Sequence, residues 1–307
     1  MKGWNVMKKW IWGIVGASLG LMGSLHAQGV TGLADWSLFL DPGHGDSSNI
    51  GIYGYPESRK NFEVAKHLRE ILTSTTDIDT VVLSRNSENV NPGLWDRANL
   101  ANTLGMDWLH SIHSDAGAPD ANSTLMLWGQ YTSESPYNCT EKVPNGGKAM
   151  SAHMINLLTR GMRTTTRGSQ GDCCDFYTWS TWCNSGNGGY PGPYLAMNRY
   201  STMPSELSEA GFHTNAVQNQ RNMSDKWKRL EAYTFYWAIL AEFNLARPPV
   251  SILTGIIYDL ESDAPINAAA AAAGGVSDTT DTYAKVFHAY STNPDQLHNG
   301  VYFLEDL

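Results

Sequence analysis

"FLDPGHGDSSNIGIYGYPESRKNFEVAKHL", residues 39–68, carries both the start of the fold and its first candidate chemistry. The apolar run Trp36 to Leu40 stops at Asp41-Pro42-Gly43, which predicts a buried strand feeding a Pro-Gly turn. After Asn61, the residues Phe62, Ala65, Leu68, Ile71 and Leu72 recur at helical spacing and predict a helix with one apolar face. Between strand and helix lie His44 and, thirteen positions later, Glu57. A histidine in a Gly-rich turn also serves as a local hydrogen-bonding residue. A glutamate before a helix also serves as a favourable charge near its N-terminus. The stretch alone leaves these readings beside that of two metal ligands.

Outward from this stretch the alternation continues. "TVVL" (80–83) predicts a second strand, "LWDRANLANTL" (94–104) a helix, and "MDWLHSIHS" (106–114) a third strand ending in polar residues. "TLMLWGQ" (124–130) is a candidate strand within otherwise loop-like sequence. Residues 148–163 predict a helix with Met150, Met154, Leu157 and Leu158 on one face. Residues 168–193 show no periodicity and predict a long ordered loop. "MPSELSEAGF" (203–212) predicts a strand ending near Glu209, and "DKWKRLEAYTFYWAILAEFNL" (225–245) a long helix. The expected fold class is therefore α/β, a mainly parallel sheet with helices on both faces. A small all-β segment follows Arg247-Pro248-Pro249, which reads as a linker. Within that tail the run Ala268 to Ala273 predicts a short helix by propensity, ended by Gly274-Gly275.

The 307 residues allow one sizeable core and a smaller appendage, and a 17% charged fraction argues against wholesale disorder. Residues 1–27 read as a signal peptide: Lys8 and Lys9, an apolar run from Trp10 to Leu25, and an imperfect cleavage site at Leu25-His26-Ala27. The alternative is a retained membrane anchor. No other stretch is long and apolar enough to span a bilayer. Cleavage removes three lysines and no acid, leaving 18 basic against 30 acidic side chains. That balance argues against nucleic acid as a partner and fits an exported protein of the periplasm, cell envelope or exterior. Cys139, Cys173, Cys174 and Cys183 fall in one region without a CxxC pair, which argues against a zinc ribbon and, with export, favours one or two disulfides pinning an insertion over free thiols. Their pairing is not readable from sequence.

Ends of adjacent parallel strands are a natural place to assemble a metal site with an open water position and a base. His44 follows the first strand, His113 ends the third in "SIHS", and Glu209 ends the strand "SELSEAGF". His110 and Glu206 lie three positions before His113 and Glu209, so their side chains face the opposite way and belong to packing or surface.

"LDPGHG", Glu57 four residues before Asn61, "SIHSDAG" and "MPSELSEAGFHTN" come in that order. Together they resemble the zinc-dependent N-acetylmuramoyl-L-alanine amidases of the cell wall, over roughly residues 36–245. The resemblance implies Zn²⁺ as cofactor, peptidoglycan as substrate, His44, Glu57 and His113 as metal ligands, and Glu209 as the catalytic glutamate. It makes His213, just after "AGF", a candidate lining residue, and Arg85 and the "RANLAN" stretch (97–102) scaffold. Asp46 departs from the pattern, standing where the family commonly has a second glycine. The stretch of about 115–193 is longer than in a minimal member and reads as an insertion able to cover the groove or meet a partner. The implied division is a signal peptide (1–27), a catalytic domain (28–247), and a linker with a partial β-sandwich-like unit (248–307). The last rests on "LTGIIYDLESDAPINA", which is similar to the opening of carboxypeptidase-regulatory-like domains. Two other activities remain open: a zinc peptidase cutting within the stem peptide, and a wall-binding module without catalysis.

Overall fold

The computed structural model describes residues 29–144, 146–184, 190–249, 251–280 and 300–307. The expected signal peptide lies outside them. The chain runs β1 (Ser37–Pro42), α1 (Glu57–Thr75), β2 (Thr80–Leu83), α2 (Leu94–Leu104), β3 (Trp108–Asp115), β4 (Ser123–Trp128), α3 (Lys148–Met162) and β5 (Thr165–Gly171). A short π-helical turn (Asp172–Phe176) leads to α4 (Ala196–Tyr200), β6 (Ser205–Phe212), α5 (Ala216–Asn222) and α6 (Asp225–Glu242). The tail holds β7 (Leu253–Ile256), β8 (Ala270–Ala273), β9 (Val276–Thr279) and β10 (Val301–Leu304).

Six strands form one sheet in the order β2-β1-β3-β6-β4-β5. The first four run parallel, β4 turns antiparallel to β6, and β5 follows β4. β1 is buried along its whole length and alternates between two apolar layers. Leu38 and Leu40 face the larger core with α1, α3 and α6, while Phe39 meets Ala98, Ala101 and Met197 of α2 and α4. Helices thus cover both faces, as the alternation predicted. The helix ends follow local chemistry. Gly105 closes α2 with φ +65°, and Ser224 caps α6 by accepting from the Trp227 amide.

The structure corrects the sequence reading at the alanine run. Ala270–Ala273 is strand β8, paired antiparallel with β9. Gly274 (φ +55°) and Gly275 (φ +86°) sit between Ala273 and Val276. Two left-handed central residues are what a tight hairpin needs, so the glycines turn a hairpin and do not end a helix. Strand β10 joins the main core through Val301 and Phe303, and Glu305 binds Arg229 (2.8 Å) and the Tyr233 hydroxyl (2.6 Å) of α6. The tail is therefore fastened along α6.

Within 115–193 the structure separates two kinds of sequence. Residues 123–128 and 148–171 supply two sheet strands and helix α3. The remainder includes two cysteine-bearing loops, one after β4 with Cys139 and one after β5 with the other three, joined as Cys139–Cys174 and Cys173–Cys183. Among the described residues, no helix is long and apolar enough to cross a membrane.

Candidate metal centre

The carboxyl ends of β1, β3 and β6 and the start of α1 converge on one cluster. Gly43 continues the parallel pairing by donating to the Ile112 carbonyl (2.9 Å), and His44 then takes φ +60°, turning its ring off the strand end. Arg97 fixes this turn with three bonds, to Asp41 Oδ1 (2.9 Å), the Pro42 carbonyl (3.0 Å) and the His44 carbonyl (2.7 Å). Arg85 holds its other side, donating to the Pro42 (3.0 Å) and Ser58 (2.6 Å) carbonyls. Asp46 has φ +52°. A glycine enters that region without strain and an aspartate tolerates it better than most residues, which accounts for an aspartate at the departing position.

Glu57 is the first residue of α1, not part of the loop before it, and is almost fully buried. Its Oε1 accepts from the Ser114 amide (2.9 Å) and Asn61 Nδ2 (3.1 Å) and lies 3.1 Å from His113 Nδ1. Its Oε2 accepts from Asn49 Nδ2 (2.7 Å) and lies 3.3 Å from His44 Nε2. One donor atom each from His44, Glu57 and His113 lies within 4.8 Å of the others. Two imidazoles and a carboxylate are a donor set that can hold a divalent ion. Glu209 sits opposite His113 in the β3–β6 register, so the two side chains share one face. Its Oε2 is buried without a hydrogen-bond partner. A buried polar atom left unpaired beside a three-donor cluster fits a site completed by a bound group. His213 is buried, its Nδ1 donating to the Ser114 carbonyl (3.0 Å) and lying 3.6 Å from Glu57 Oε2.

The electrostatics follow from this crowding. Burial alone would raise Glu57, but the His113 hydrogen bond and charge, with His44 and His213, hold its carboxyl far below the usual carboxylate range. Burial opposes the charged form of His113, yet the Glu57 bond and charge, with Glu209 and Asp41, raise its pKa. Burial lowers His44 against the opposing pull of Glu57. Glu209 is pushed up to about 8, first by burial and then by Glu57 and Asp115, against His113 and Lys60.

The alternation argument holds for the neighbouring residues. His110 faces the other side of β3, fully buried, 3.0 Å from Glu206 Oε1 and packed on Phe235. Burial lowers its pKa to about 3. Glu206 also accepts from Trp108 Nε1 (2.6 Å). Sequence reasoning missed Asn49, Lys60 and Ser114. Lys60 is buried under the site, bonded to the His113 carbonyl (3.2 Å) and paired with Glu231 (2.5 Å). Its place on the same helical row as Val64 and Leu68, one and two turns on, was the available signal. Asn49 lies in a loop and gave none.

A cleft of about 510 Å³ opens beside His44 and His113, with Leu94, Arg97, Leu195 and Met197 among its walls. A second cavity of about 470 Å³ lies between α6 and the tail and contains none of the cluster residues.

The sequence profile of the N-acetylmuramoyl-L-alanine amidases (Amidase_3) matches residues 38–241. This chain belongs to that amidase family. An uncharacterised cell wall amidase of Bacillus anthracis is 24% identical over 210 residues, covering 66% of this chain and 35% of the relative. The N-acetylmuramoyl-L-alanine amidase LytC of Bacillus subtilis is 29% identical over 181 residues, covering 59% and 30%. The chain spans about a third of the length of these curated relatives. Among solved structures, an N-acetylmuramoyl-L-alanine amidase from Clostridium difficile 630 superposes with a TM-score of 0.53 at 24% identity, over 68% of this chain and 97% of that one. The catalytic domain of CwlV from Paenibacillus polymyxa gives 0.52 at 20% identity, over 69% and 99%. The amidase fold thus accounts for the six-stranded sheet and its helices, and the tail strands follow the matched region.

Proposed function

We propose that this chain is a zinc-dependent amidase, exported to the cell envelope. It would hydrolyse the amide between the lactyl group of N-acetylmuramic acid and L-alanine of the peptidoglycan stem peptide. The observation carrying this reading is the convergence of His44, Glu57 and His113 with the unpartnered carboxyl of Glu209, inside the family-matched region. Zinc held by His44, Glu57 and His113 would polarise the amide carbonyl and acidify a water. The proton steps fall to Glu209, which accepts the proton of the attacking water and returns it to the departing alanine nitrogen. Its carboxyl, held up at about 8 in the metal-free protein, ionises more readily beside a dication. His213 steadies the Glu57 side of the site through its bond to Ser114. In this reading residues 28–247 form the catalytic unit. Residues 248–307 and the cysteine-bearing loops are places for wall-associated or regulatory contacts.

Product identification on purified peptidoglycan tests the reading. The expected products are intact glycan strands and new N-terminal L-alanine, lost when chelator is added. Cuts between stem-peptide residues would make the chain a peptidase, and binding without release would make it a wall-binding module. Either result overturns the proposal.

A further inference from the structure

One feature of the cysteine-bearing loop after β5 lies outside the chemistry above. It carries six aromatic side chains in ordered contact, beginning with Phe176 edge-on to Tyr177 at 4.7 Å. Tyr177 stacks on Tyr194 with ring centroids 3.8 Å apart at 24°. Trp179 stands 6.0 Å from each of them. Trp182 stacks on Tyr190 at 4.1 Å and 18°. Trp179 is nevertheless 74% exposed and Tyr190 56%. Aromatic rings left in water but held in fixed mutual geometry mark a contact surface more often than a packing accident.

The loop is built to hold them still. Cys173–Cys183 closes the segment bearing Tyr177 and Trp179, and Cys139–Cys174 ties its base to the loop between β4 and α3. Buried Asp172 joins the two ends of the loop, accepting from the Leu195 amide (3.1 Å), the Gln130 amide (3.1 Å) and Asn198 Nδ2 (3.3 Å). The surface is also continuous with the cleft. Tyr194 directly precedes Leu195, Ala196 and Met197, which wall the cleft beside His44 and His113. Burial holds the Tyr177 hydroxyl in its neutral form.

That setting selects among ligands. The two guanidinium groups beside this surface are already engaged, Arg199 through the Pro193 and Tyr194 carbonyls, and offer an anionic group little. Arg167 is already paired with Asp115 (2.5 Å), and Arg199 lies over the Trp182 ring at 3.9 Å. A stem peptide carries free carboxylates, whereas an N-acetylhexosamine ring is neutral and offers a flat face of C–H bonds to an aromatic π-face. We infer that the Tyr177–Trp179–Tyr194 surface is a sugar-stacking subsite that seats the glycan strand next to the amide to be cut. This rests on the peptidoglycan reading, because it takes the glycan side of the scissile amide as the occupant.

The test titrates the full chain with neutral N-acetylglucosamine oligomers, which present the same sugar face without a carboxylate. Wild type should bind them, and Trp179→Ala should weaken binding about three- to tenfold, the worth of one aromatic stacking contact. Trp179→Phe should restore most of the loss, and an unchanged thermal melt reports an intact fold. On intact peptidoglycan the same factor should appear in KM more than in kcat. Equal binding by wild type and Trp179→Ala, no binding by wild type, or competition by free stem peptide alone would each overturn the subsite. Failure of the amidase reading shows separately, as wild type releasing no N-terminal L-alanine, and leaves the oligosaccharide titration interpretable.

Discussion

Gly43→Ala is the sharpest probe of how the site is held. A Cβ at Gly43 would lie 2.1 Å from His113 Cε1, 2.3 Å from Nε2 and 2.6 Å from Nδ1, against the 3.4 Å of ordinary contact. Something must move by about 1 Å or more, and the backbone is poorly placed to do so. The Gly43 amide donates to Ile112, and its carbonyl accepts from Asn61 and Arg85. The imidazole of His113 therefore gives way, at a position where the register sets it beside Glu209. Displacing a ligand this far should weaken metal binding by about 10- to 100-fold, the range seen when a ligand's support is lost. Turnover should fall by about 100-fold, since misplacement of about 1 Å is enough for that. Zinc affinity is read by competition with a chromophoric chelator, turnover by release of N-terminal L-alanine, and the fold by circular dichroism. A folded Gly43→Ala protein with wild-type zinc affinity and turnover refutes the claim that this glycine exists to admit His113.

Glu209→Gln should keep its zinc and lose turnover by about 10²- to 10⁴-fold, the usual contribution of a general base; turnover near wild type removes Glu209 from the proton steps. His44→Ala should lower the zinc content measured by atomic absorption, and unchanged content sinks its role as a ligand. Zinc affinity should climb with pH above about 6.5, because the raised His113 must lose its proton before it can ligate. For the metal-free protein the sign reverses: the His113–Glu57 pairing stabilises the fold below about 6.5 and is lost as pH rises through the raised His113 value, so a calorimetric series showing metal-free stability rising there contradicts the pairing. Removing Cys139–Cys174, which closes a separation of 35 residues, should cost about 4 kcal/mol by chain entropy and lower the melting temperature by about 10 °C. A melt insensitive to reductant refutes that contribution.

Much of the fold was legible because its central strands are buried on both faces. Leu38, Phe39 and Leu40 read as a continuous apolar run for that reason. The loop expected over 168–193 begins inside edge strand β5, "TTRGSQG" (165–171), whose residues before Gly171 are exposed or half-buried and carry no apolar alternation. The alanine run failed for a related reason: propensity favours helix, but hairpin pairing set by two left-handed glycines overrides it. At the site, His44, Glu57, His113 and Glu209 were visible through their motifs, and the structure brings them together. The groups that aim them were less visible. Asn61 follows Glu57 by one helical turn and could be inferred from spacing. Asn49 and the Ser114 amide act across the fold, through contacts that no local pattern records.

The candidate metal site and the aromatic loop that continues from the cleft wall are held by different means, and the difference follows from where each stands. The ligand side grows from strand ends, where the sheet already fixes the backbone. There buried cations do the remaining positioning: Arg97 and Arg85 on the His44 turn, and Lys60 beneath His113, with Asp41 and Glu231 balancing Arg97 and Lys60. Removing one member of such a buried pair leaves an uncompensated charge, so these positions resist substitution. The aromatic loop runs on from the end of β5 and its sequence has no periodic apolar face to bury. Ordering each of its residues costs about 1–2 kcal/mol of backbone entropy, and the loop has little core of its own to offset that. Cross-links meet the need by narrowing the unfolded ensemble, which places vicinal Cys173 and Cys174 at the loop's base, each bonded in a different direction. Asp172, immediately before them, adds the polar tie to Leu195 at the cleft wall. A reduced protein should therefore keep its metal-ligand geometry longer than its aromatic surface, because only the second depends on the disulfides for its order.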